Sequence, residues 1–164
     1  MFIYFSIYCF LGYLLESTYI SILKRKVVSS GLLKGPYIPL YGVGACLLAI
    51  LSPLVKSSYL LCFFIGGLMM TFLELVASYY IEYVFHTKCW DYSKHYLNYQ
   101  GRICLLYFII WCLLSLLFIQ WIHPWIMKIT MHTQLLFFIS LIYYTFMIKD
   151  LIDRLVIQTK GLEI

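Results

Sequence analysis

Five long apolar runs account for most of this chain, and four of them are close to the length that crosses a lipid bilayer. A transmembrane helix needs about 20 apolar residues at a rise of 1.5 Å per residue. The runs lie at about residues 2–23, 38–55, 59–85, 103–122 and 133–148, and the fifth is the shortest. Of the 164 residues, 63% are hydrophobic and only 12% are charged, which excludes an ordinary soluble domain. The sequence therefore predicts an all-α, polytopic membrane helix bundle of about five transmembrane helices.

The runs predict one integral membrane domain, residues 1–164, ending in a cytosolic tail, residues 149–164. No basic residues precede the first run and no small-residue cleavage site follows it, so we expect a retained span and not a signal peptide. Six cysteines are scattered without regular spacing, which favours buried small side chains over disulfides or metal ligands. No metal and no cofactor is predicted.

Positive charge gathers on one side of the predicted spans. Ten of the twelve Lys and Arg residues follow the first, third or fifth run, and only Lys56 and Lys128 lie on the other side. Because Lys and Arg concentrate in cytoplasmic loops, we predict that the N-terminus is outside and the C-terminus is cytosolic. The net charge of +5 then reflects topology, so no nucleic-acid partner is predicted.

Two glutamates, Glu16 and Glu74, lie inside the first and third runs. A charged residue at the centre of a transmembrane helix costs roughly 2.5–3.5 kcal/mol on insertion scales, and it usually faces a bundle interior or a watery cavity. Glu16 shares a helical face with Gly12. Glu74 belongs to a polar stripe made of Gly67, Met70, Thr71, Glu74, Ser78 and Glu82. Since both spans are expected to run from outside to inside, we predict that the two glutamates share a depth and form one cytosol-facing site.

Two unusual segments follow these spans on the predicted cytosolic side. The Gly/Pro segment, residues 31–44, has four glycines and two prolines. Glycine permits left-handed backbone and proline removes an amide donor, so we predict irregular backbone at the start of the second span, with an ordinary turn as the alternative. In the Trp90–Arg102 segment, Asp91 and Arg102 are suited to an ion pair. Arg102 is alternatively suited to Glu16, Glu74 or a phosphate.

Other patterns argue against local chemistry. His86, Cys89 and His95 lack a fourth ligand at zinc spacing, so they predict no metal site. The sequence has no G-x-x-x-x-G-K-[ST] motif, so the chain cannot bind ATP through a P-loop of its own. No nucleophile motif is present, and no catalytic residue is predicted. After the fourth span, His123 and Pro124 are expected to start a short outer turn.

These segments together resemble a family of small bacterial membrane proteins, the CmpB or "ABC-transporter type IV" kind of permease. The resemblance covers about residues 5–112 and is most specific in the Trp90–Arg102 segment. One departure is Ser30, which stands where the family commonly has an arginine before Gly31; Lys34 and Arg25 are the candidate substitutes. The matching residues are Gly12, Tyr13, Glu16, Gly31, Gly35, Pro36, Pro39, Tyr41, Gly42, Glu74, Trp90, Asp91, Tyr92, Ser93, Asn98, Gly101, Arg102, Ile103 and Cys104.

The resemblance implies a multi-pass protein of the cell membrane that takes part in translocation driven by a separate ATPase subunit. Together with the residue patterns, it predicts six substrate-binding side chains: Glu16, Tyr41, Glu74, Asp91, Asn98 and Arg102. Eight further residues are predicted to shape the backbone around them: Gly12, Gly31, Gly35, Pro36, Pro39, Gly42, Trp90 and Gly101. Besides the bilayer and the ATPase, a second copy of the chain is a predicted partner, because one small chain can hardly enclose a pathway.

Three functions are consistent with these residues. The leading hypothesis is a transporter component whose cytosol-facing intramembrane site binds or translocates a small substrate or an ion. The first alternative is a non-transporting membrane scaffold or partner subunit, in which the glutamates hydrogen-bond one helix to another. The second alternative is a lipid-head-group enzyme, with Asp91, Glu16 or Glu74 as acid or base and Arg102 gripping the phosphate.

Overall fold

The computed structural model describes residues 1–130 and 134–159, and most of them are helical. The helices are α1 (Phe2–Lys24), α2 (Pro39–Val55), α3 (Tyr59–Phe85), α4 (Leu105–Leu117), α5 (His123–Thr130) and α6 (Leu135–Thr159). Two short strands, β1 (Asn98–Tyr99) and β2 (Ile103–Cys104), pair antiparallel. β1 lies in the Trp90–Arg102 segment and β2 directly follows it. This architecture confirms the predicted all-α polytopic helix bundle. Its orientation across the membrane stays a prediction.

Four helical stretches are long and apolar enough to cross a membrane by length and composition. They are Phe2–Lys24, Tyr59–Phe85, Leu105–Thr130 and Leu135–Gln158, while α2 is apolar but shorter. Most of their apolar surface is not covered by protein, and in the α6 stretch only 6% of the most apolar window is buried. Lipid is the environment that suits such surfaces. The predicted start of the fifth span at Thr133 and the end of the predicted tail, residues 160–164, lie outside the described residues.

The helical stretch that begins with α4 continues past the predicted turn at His123 and Pro124. A π-helical turn at Phe118–Ile122 joins α4 to α5, and the stretch ends at Thr130. Because proline cannot supply the amide for an i−4 bond, a wider π-helical turn just before it allows the helix to pass Pro124. The prediction of a turn here is wrong.

The chain divides into two compact units. The first unit comprises Met1–Val43 and Thr133–Ile164, and the second comprises Gly44–His132. The first therefore contains α1, the first turn of α2, and α6. The second contains the rest of α2, together with α3, both strands, α4 and α5. The prediction of a single membrane domain over residues 1–164 stays a prediction.

Small residues allow close helix packing in the first unit. A Cβ at Gly12 would overlap the ring of Tyr41, and a Cβ at Gly42 would overlap the sulfur of Cys9. Both glycines therefore let α1 and the first turn of α2 meet side chain against backbone. α1 also contacts α6, because the hydroxyls of Ser6 on α1 and Ser140 on α6 form a buried 2.8 Å hydrogen bond.

In the second unit, α3 and α4 approach each other closely at two neighbouring glycines. A Cβ at Gly66 would lie 2.5 Å from the Cβ of Ser115. A Cβ at Gly67 would lie 2.9 Å from the backbone Cα of Cys112. Ser115 and Cys112 are fully buried. This contact fixes α4 against α3. It thereby sets where α4 lies relative to the polar residues further along α3.

Candidate functional site

The best-defined polar site of the second unit surrounds the carboxylate of Glu74. Its side chain is only 4% exposed although it lies in the middle of α3. Tyr92 donates its hydroxyl to Oε1 at 2.9 Å, and Trp111 of α4 donates its ring N–H to Oε2 at 3.0 Å. Each carboxylate oxygen therefore has an aromatic donor, one from the Trp90–Arg102 segment and one from α4.

Tyr92 is itself held in place by ring contacts and by its backbone. Its ring stacks on Tyr107 of α4 with centroids 4.2 Å apart, and the ring of His95 meets it edge-on at 5.9 Å. Its amide donates to the carbonyl of Gly101 at 2.7 Å. These contacts fix the phenol hydroxyl at Glu74, so the carboxylate site is preorganised by the segment that covers it.

Asn98 closes the Trp90–Arg102 segment into a compact hairpin. Its Oδ1 accepts from the amide of Gly101 at 3.0 Å, and its Nδ2 donates to the carbonyls of His95 and Ser93 at 2.9 and 3.2 Å. Trp90 donates its ring N–H to the carbonyl of Arg102 at 2.9 Å. Asn98 and Trp90 thus hold the two sides of the segment together.

Asp91 bonds within its own turn. It accepts from the backbone amide of Ser93 at 3.0 Å and from the Ser93 hydroxyl at 3.2 Å. These bonds hold the pKa of Asp91 below its usual value because they stabilise the charged form. The bond from the amide has the larger effect. The predicted ion pair between Asp91 and Arg102 is wrong, since Arg102 pairs with Glu82.

Gly101 takes a left-handed backbone, with φ +70°, directly beside Asp91. A Cβ there would overlap the Asp91 carboxylate. We expect Gly101→Ala to lower the free energy of unfolding by about 1–2 kcal/mol, the usual cost of a left-handed non-glycine residue. Thermal unfolding of the detergent-purified protein, followed by tryptophan fluorescence, measures this loss.

The matched control is Leu97→Gly, because Leu97 is also left-handed, with φ 49°, and its side chain is exposed. That change should leave stability unaltered or raise it by up to about 1 kcal/mol. A Gly101→Ala variant as stable as wild type would show that the backbone at this position is not constrained.

Arg102 fastens the same segment to α3. One guanidinium nitrogen donates to the hydroxyl of Ser78 at 2.8 Å, and another forms an ion pair with Glu82. The guanidinium also lies over the ring of Tyr79, 3.9 Å from its centroid. Glu74, Ser78 and Glu82 are spaced four residues apart, so three successive turns of one α3 face contact this segment or α4.

Glu16 belongs to the first unit and has a different partner. Ser30 donates its hydroxyl to Oε1 of Glu16 at 2.6 Å, and its amide donates to Ser17 Oγ at 3.1 Å. The hypothesis that Glu16 and Glu74 form one site stays a prediction.

The Gly/Pro segment begins as irregular backbone, as its composition predicts. No regular element is assigned between α1 and α2, and α2 starts at Pro39, where the missing amide costs no helical bond. Gly31 has φ +112°, which favours glycine. A Cβ at Gly35 would overlap the Tyr37 ring, and the carbonyl of Pro36 accepts from Tyr143 of α6 at 3.0 Å.

Several residues that organise these sites are not among the predicted site residues. Tyr92 and Trp111 donate to Glu74, Ser30 donates to Glu16, and Asp150 accepts from Gly35 and Tyr37. The two aromatic donors could have been found from the sequence by one rule: a buried Tyr or Trp needs a hydrogen-bond partner. Among residues 1–130 and 134–159, no group of three His, Cys, Asp or Glu side chains is placed to hold a metal ion.

Comparison with known proteins identifies the family. The sequence profile of the family described as "Putative ABC-transporter type IV" matches residues 3–154. The match continues beyond residue 112, where the motifs of the resemblance end, and includes most of α6. No curated protein and no solved structure shows a significant match. Because the matched region covers nearly all of its length, the chain belongs to the ABC-transporter type IV family of membrane proteins.

Proposed function

We propose that the chain is the membrane-spanning component of an ABC-type transporter, and that Glu74 is the centre of its site for a proton or a small cationic substrate. The observation that carries the proposal is the burial of this carboxylate, 4% exposed, in a helix apolar enough to cross a membrane. Ionisable residues in such helices are costly and commonly mark substrate or proton pathways. Membership of the family provides the transport context.

The two aromatic donors at Glu74 favour a site for positive charge. The hydroxyl of Tyr92 and the ring N–H of Trp111 are neutral groups, so their hydrogen bonds stabilise the carboxylate without cancelling its charge. A proton, an alkali cation or a primary amine would cancel that charge on binding. Aromatic faces also attract cations, which makes Tyr92 and Trp111 suitable walls for an amine.

The other predicted site residues have distinct roles in this proposal. Asp91 and Asn98 maintain the turn that carries Tyr92, and Arg102 fastens that turn to α3. They act as positioning residues for Glu74. Glu16 and Tyr41, which belong to the first unit, stay predicted substrate contacts.

A separate ATPase subunit supplies the energy in this proposal. The chain lacks a G-x-x-x-x-G-K-[ST] motif, whose backbone amides and lysine bind nucleotide phosphates in P-loop ATPases. Mild detergent extraction with chemical cross-linking, followed by mass spectrometry, should recover a subunit that carries this motif. The same experiment reports whether two copies of the chain cross-link. Recovery of the chain with no ATPase would count against the transporter assignment.

The site is tested by ligand-induced stabilisation of the purified protein. Alkali cations, divalent cations and small primary amines are screened by thermal unfolding, and a ligand at about 100 times its Kd should stabilise the folded protein by about 2.7 kcal/mol. We expect Glu74→Gln, which keeps the shape and removes the charge, to abolish that stabilisation. Asp153→Asn is the control, since it removes an exposed carboxylate of α6 that has no part in the contacts of the Trp90–Arg102 segment. A Glu74→Gln variant that still responds fully would contradict the proposal.

A second candidate is a non-transporting scaffold or partner subunit. It is favoured by one observation: both glutamates accept hydrogen bonds from side chains of other segments, Ser30 for Glu16 and Tyr92 and Trp111 for Glu74. In that case the carboxylates lock loops onto helices. Glu74→Gln should then lower the yield of folded protein, and no screened ligand should stabilise the wild type. Normal yield with a lost ligand response would instead support the binding site.

A further inference from the structure

An open groove in the first unit lies between the Gly/Pro segment and α6. Its volume is about 470 Å³. The wall along α6 is mostly apolar. One end of the groove is polar and contains a lysine and an aspartate. The lining residues are Lys34, Gly35, Pro36, Tyr37, Ile139, Ile142, Tyr143, Phe146 and Asp150.

The polar end contains the carboxylate of Asp150, whose two oxygens differ in their contacts. Gly35 donates its amide to Asp150 Oδ2 at 2.9 Å, and the Tyr37 hydroxyl donates to the same oxygen. Burial, and then this bond to Asp150, raises the pKa of Tyr37, so its hydroxyl keeps its proton and stays a donor. In the part of the chain that the structure describes, no hydrogen bond is formed by Oδ1. That oxygen is therefore available to a donor that enters the groove.

The charges at this end are complementary to a zwitterion. Lys34 lines the groove beside Asp150, and it forms no ion pair within residues 1–130 and 134–159. A lysine can bind a phosphate as a point charge, and a carboxylate oxygen can accept from a primary ammonium. A molecule that has both groups close together would satisfy both residues at once.

The apolar wall has the length of one membrane leaflet. Ile139 and Asp150 are eleven residues apart on α6, which corresponds to about 16 Å along a helix. Half of the hydrocarbon core of a bilayer is about 15 Å. Ile139, Ile142 and Phe146 lie along this wall, and each is roughly half exposed or more. An acyl chain would cover these side chains if its head group lay at Lys34 and Asp150.

We propose that this groove binds a phospholipid with a primary amine in its head group, of the phosphatidylethanolamine type. The ammonium donates to Asp150 Oδ1, the phosphate contacts Lys34, and one acyl chain follows α6. Phosphatidylcholine offers no N–H donor to Asp150, and phosphatidylglycerol offers no cation. This inference is independent of the proposed function at Glu74.

The test is native mass spectrometry of the detergent-purified protein after incubation with equal amounts of phosphatidylethanolamine, phosphatidylcholine and phosphatidylglycerol. Wild type should retain phosphatidylethanolamine at least about tenfold more than phosphatidylcholine, the ratio expected for one charge-assisted hydrogen bond. Asp150→Asn should remove this preference while it keeps an oxygen for Gly35 and Tyr37. Asp153→Asn, on the same helix but outside the groove, should leave the preference unchanged.

Two further variants keep the test decisive if Asp150→Asn does not fold. Ile142→Trp fills the apolar wall and Lys34→Gln removes the contact with the phosphate. Each change should reduce retention of all three lipids, because every one of them has acyl chains and a phosphate. Equal retention of phosphatidylethanolamine and phosphatidylcholine by wild type would overturn the proposal. So would soluble phosphoethanolamine that displaces the lipid at equal concentration, because the acyl chain would then contribute nothing.

Discussion

Arg102→Ala should lower the free energy of unfolding by about 2 kcal/mol, between the costs of breaking an exposed and a fully buried ion pair. The side chain of Arg102 is 12% exposed and that of Glu82 is 37% exposed, so solvent screens the glutamate in part. The substitution also removes the hydrogen bond to Ser78 and the cation–π contact with Tyr79. These groups hold the Trp90–Arg102 segment on α3, so the segment should loosen as well.

Thermal unfolding measures the stability loss, and trypsin cleavage after Lys94 measures the loosening of the segment. Arg102→Lys keeps the charge but not the planar fork, so it should recover only part of the stability. Glu82→Gln alone and combined with Arg102→Ala completes a double-mutant cycle. If Arg102→Ala unfolds at the wild-type temperature and is cleaved no faster, the contacts of Arg102 do not hold the segment.

Arg102→Ala also tests whether the Trp90–Arg102 segment supports the carboxylate site at Glu74. Tyr92 reaches Glu74 only because the segment folds over α3, and Arg102 is the residue that ties this segment to the two turns of α3 beyond Glu74. Loss of Arg102 should therefore weaken any ligand response that depends on Glu74, although the two side chains are not bonded to each other in the described contacts. The binding site and the fold of the segment are then a single cooperative element.

Hydropathy predicts most of the fold because lipid imposes a simple rule. Backbone amides in a bilayer must bond within their own helix, so each long apolar run becomes a helix. This rule places α3 at residues 59–85 from composition alone. It does not predict how a helix passes a proline. The π-helical turn before Pro124 depends on local backbone geometry, and the sequence offers no periodic signal for it.

The site is less predictable because its partners come from different parts of the chain. Glu74 is conspicuous as a charge in an apolar run, but its donor Trp111 lies 37 residues away and depends on the close packing of α3 and α4. Arg102 pairs with Glu82 rather than with Asp91 because the short hairpin turns Asp91 toward Ser93. Such choices follow from the tertiary fold, and charge spacing along the chain cannot reveal them.

The second large effect is expected at the contact between α3 and α4. Gly67→Ala should lower the free energy of unfolding by about 3 kcal/mol, the upper part of the usual range for overpacking, because the new Cβ would lie 2.9 Å from the backbone of Cys112. Gly66→Ala should cost about 2 kcal/mol, because its Cβ meets the Ser115 side chain rather than backbone. Leu68→Ala, at an exposed neighbouring position, is the control for a change that alters no helix contact.

The two glycines should differ in whether a second substitution can rescue them. Ser115→Gly removes the Cβ and hydroxyl that obstruct Gly66→Ala, and the remaining contact, with Leu48 at 3.4 Å, is an ordinary one. The double variant should therefore be within about 1 kcal/mol of Ser115→Gly alone. Cys112→Ala removes only the sulfur facing Gly67→Ala and leaves the backbone atom in place, so it should not restore stability. Rescue at both positions would mean that α4 can move away from α3, and that Trp111 is not fixed at Glu74 by this packing.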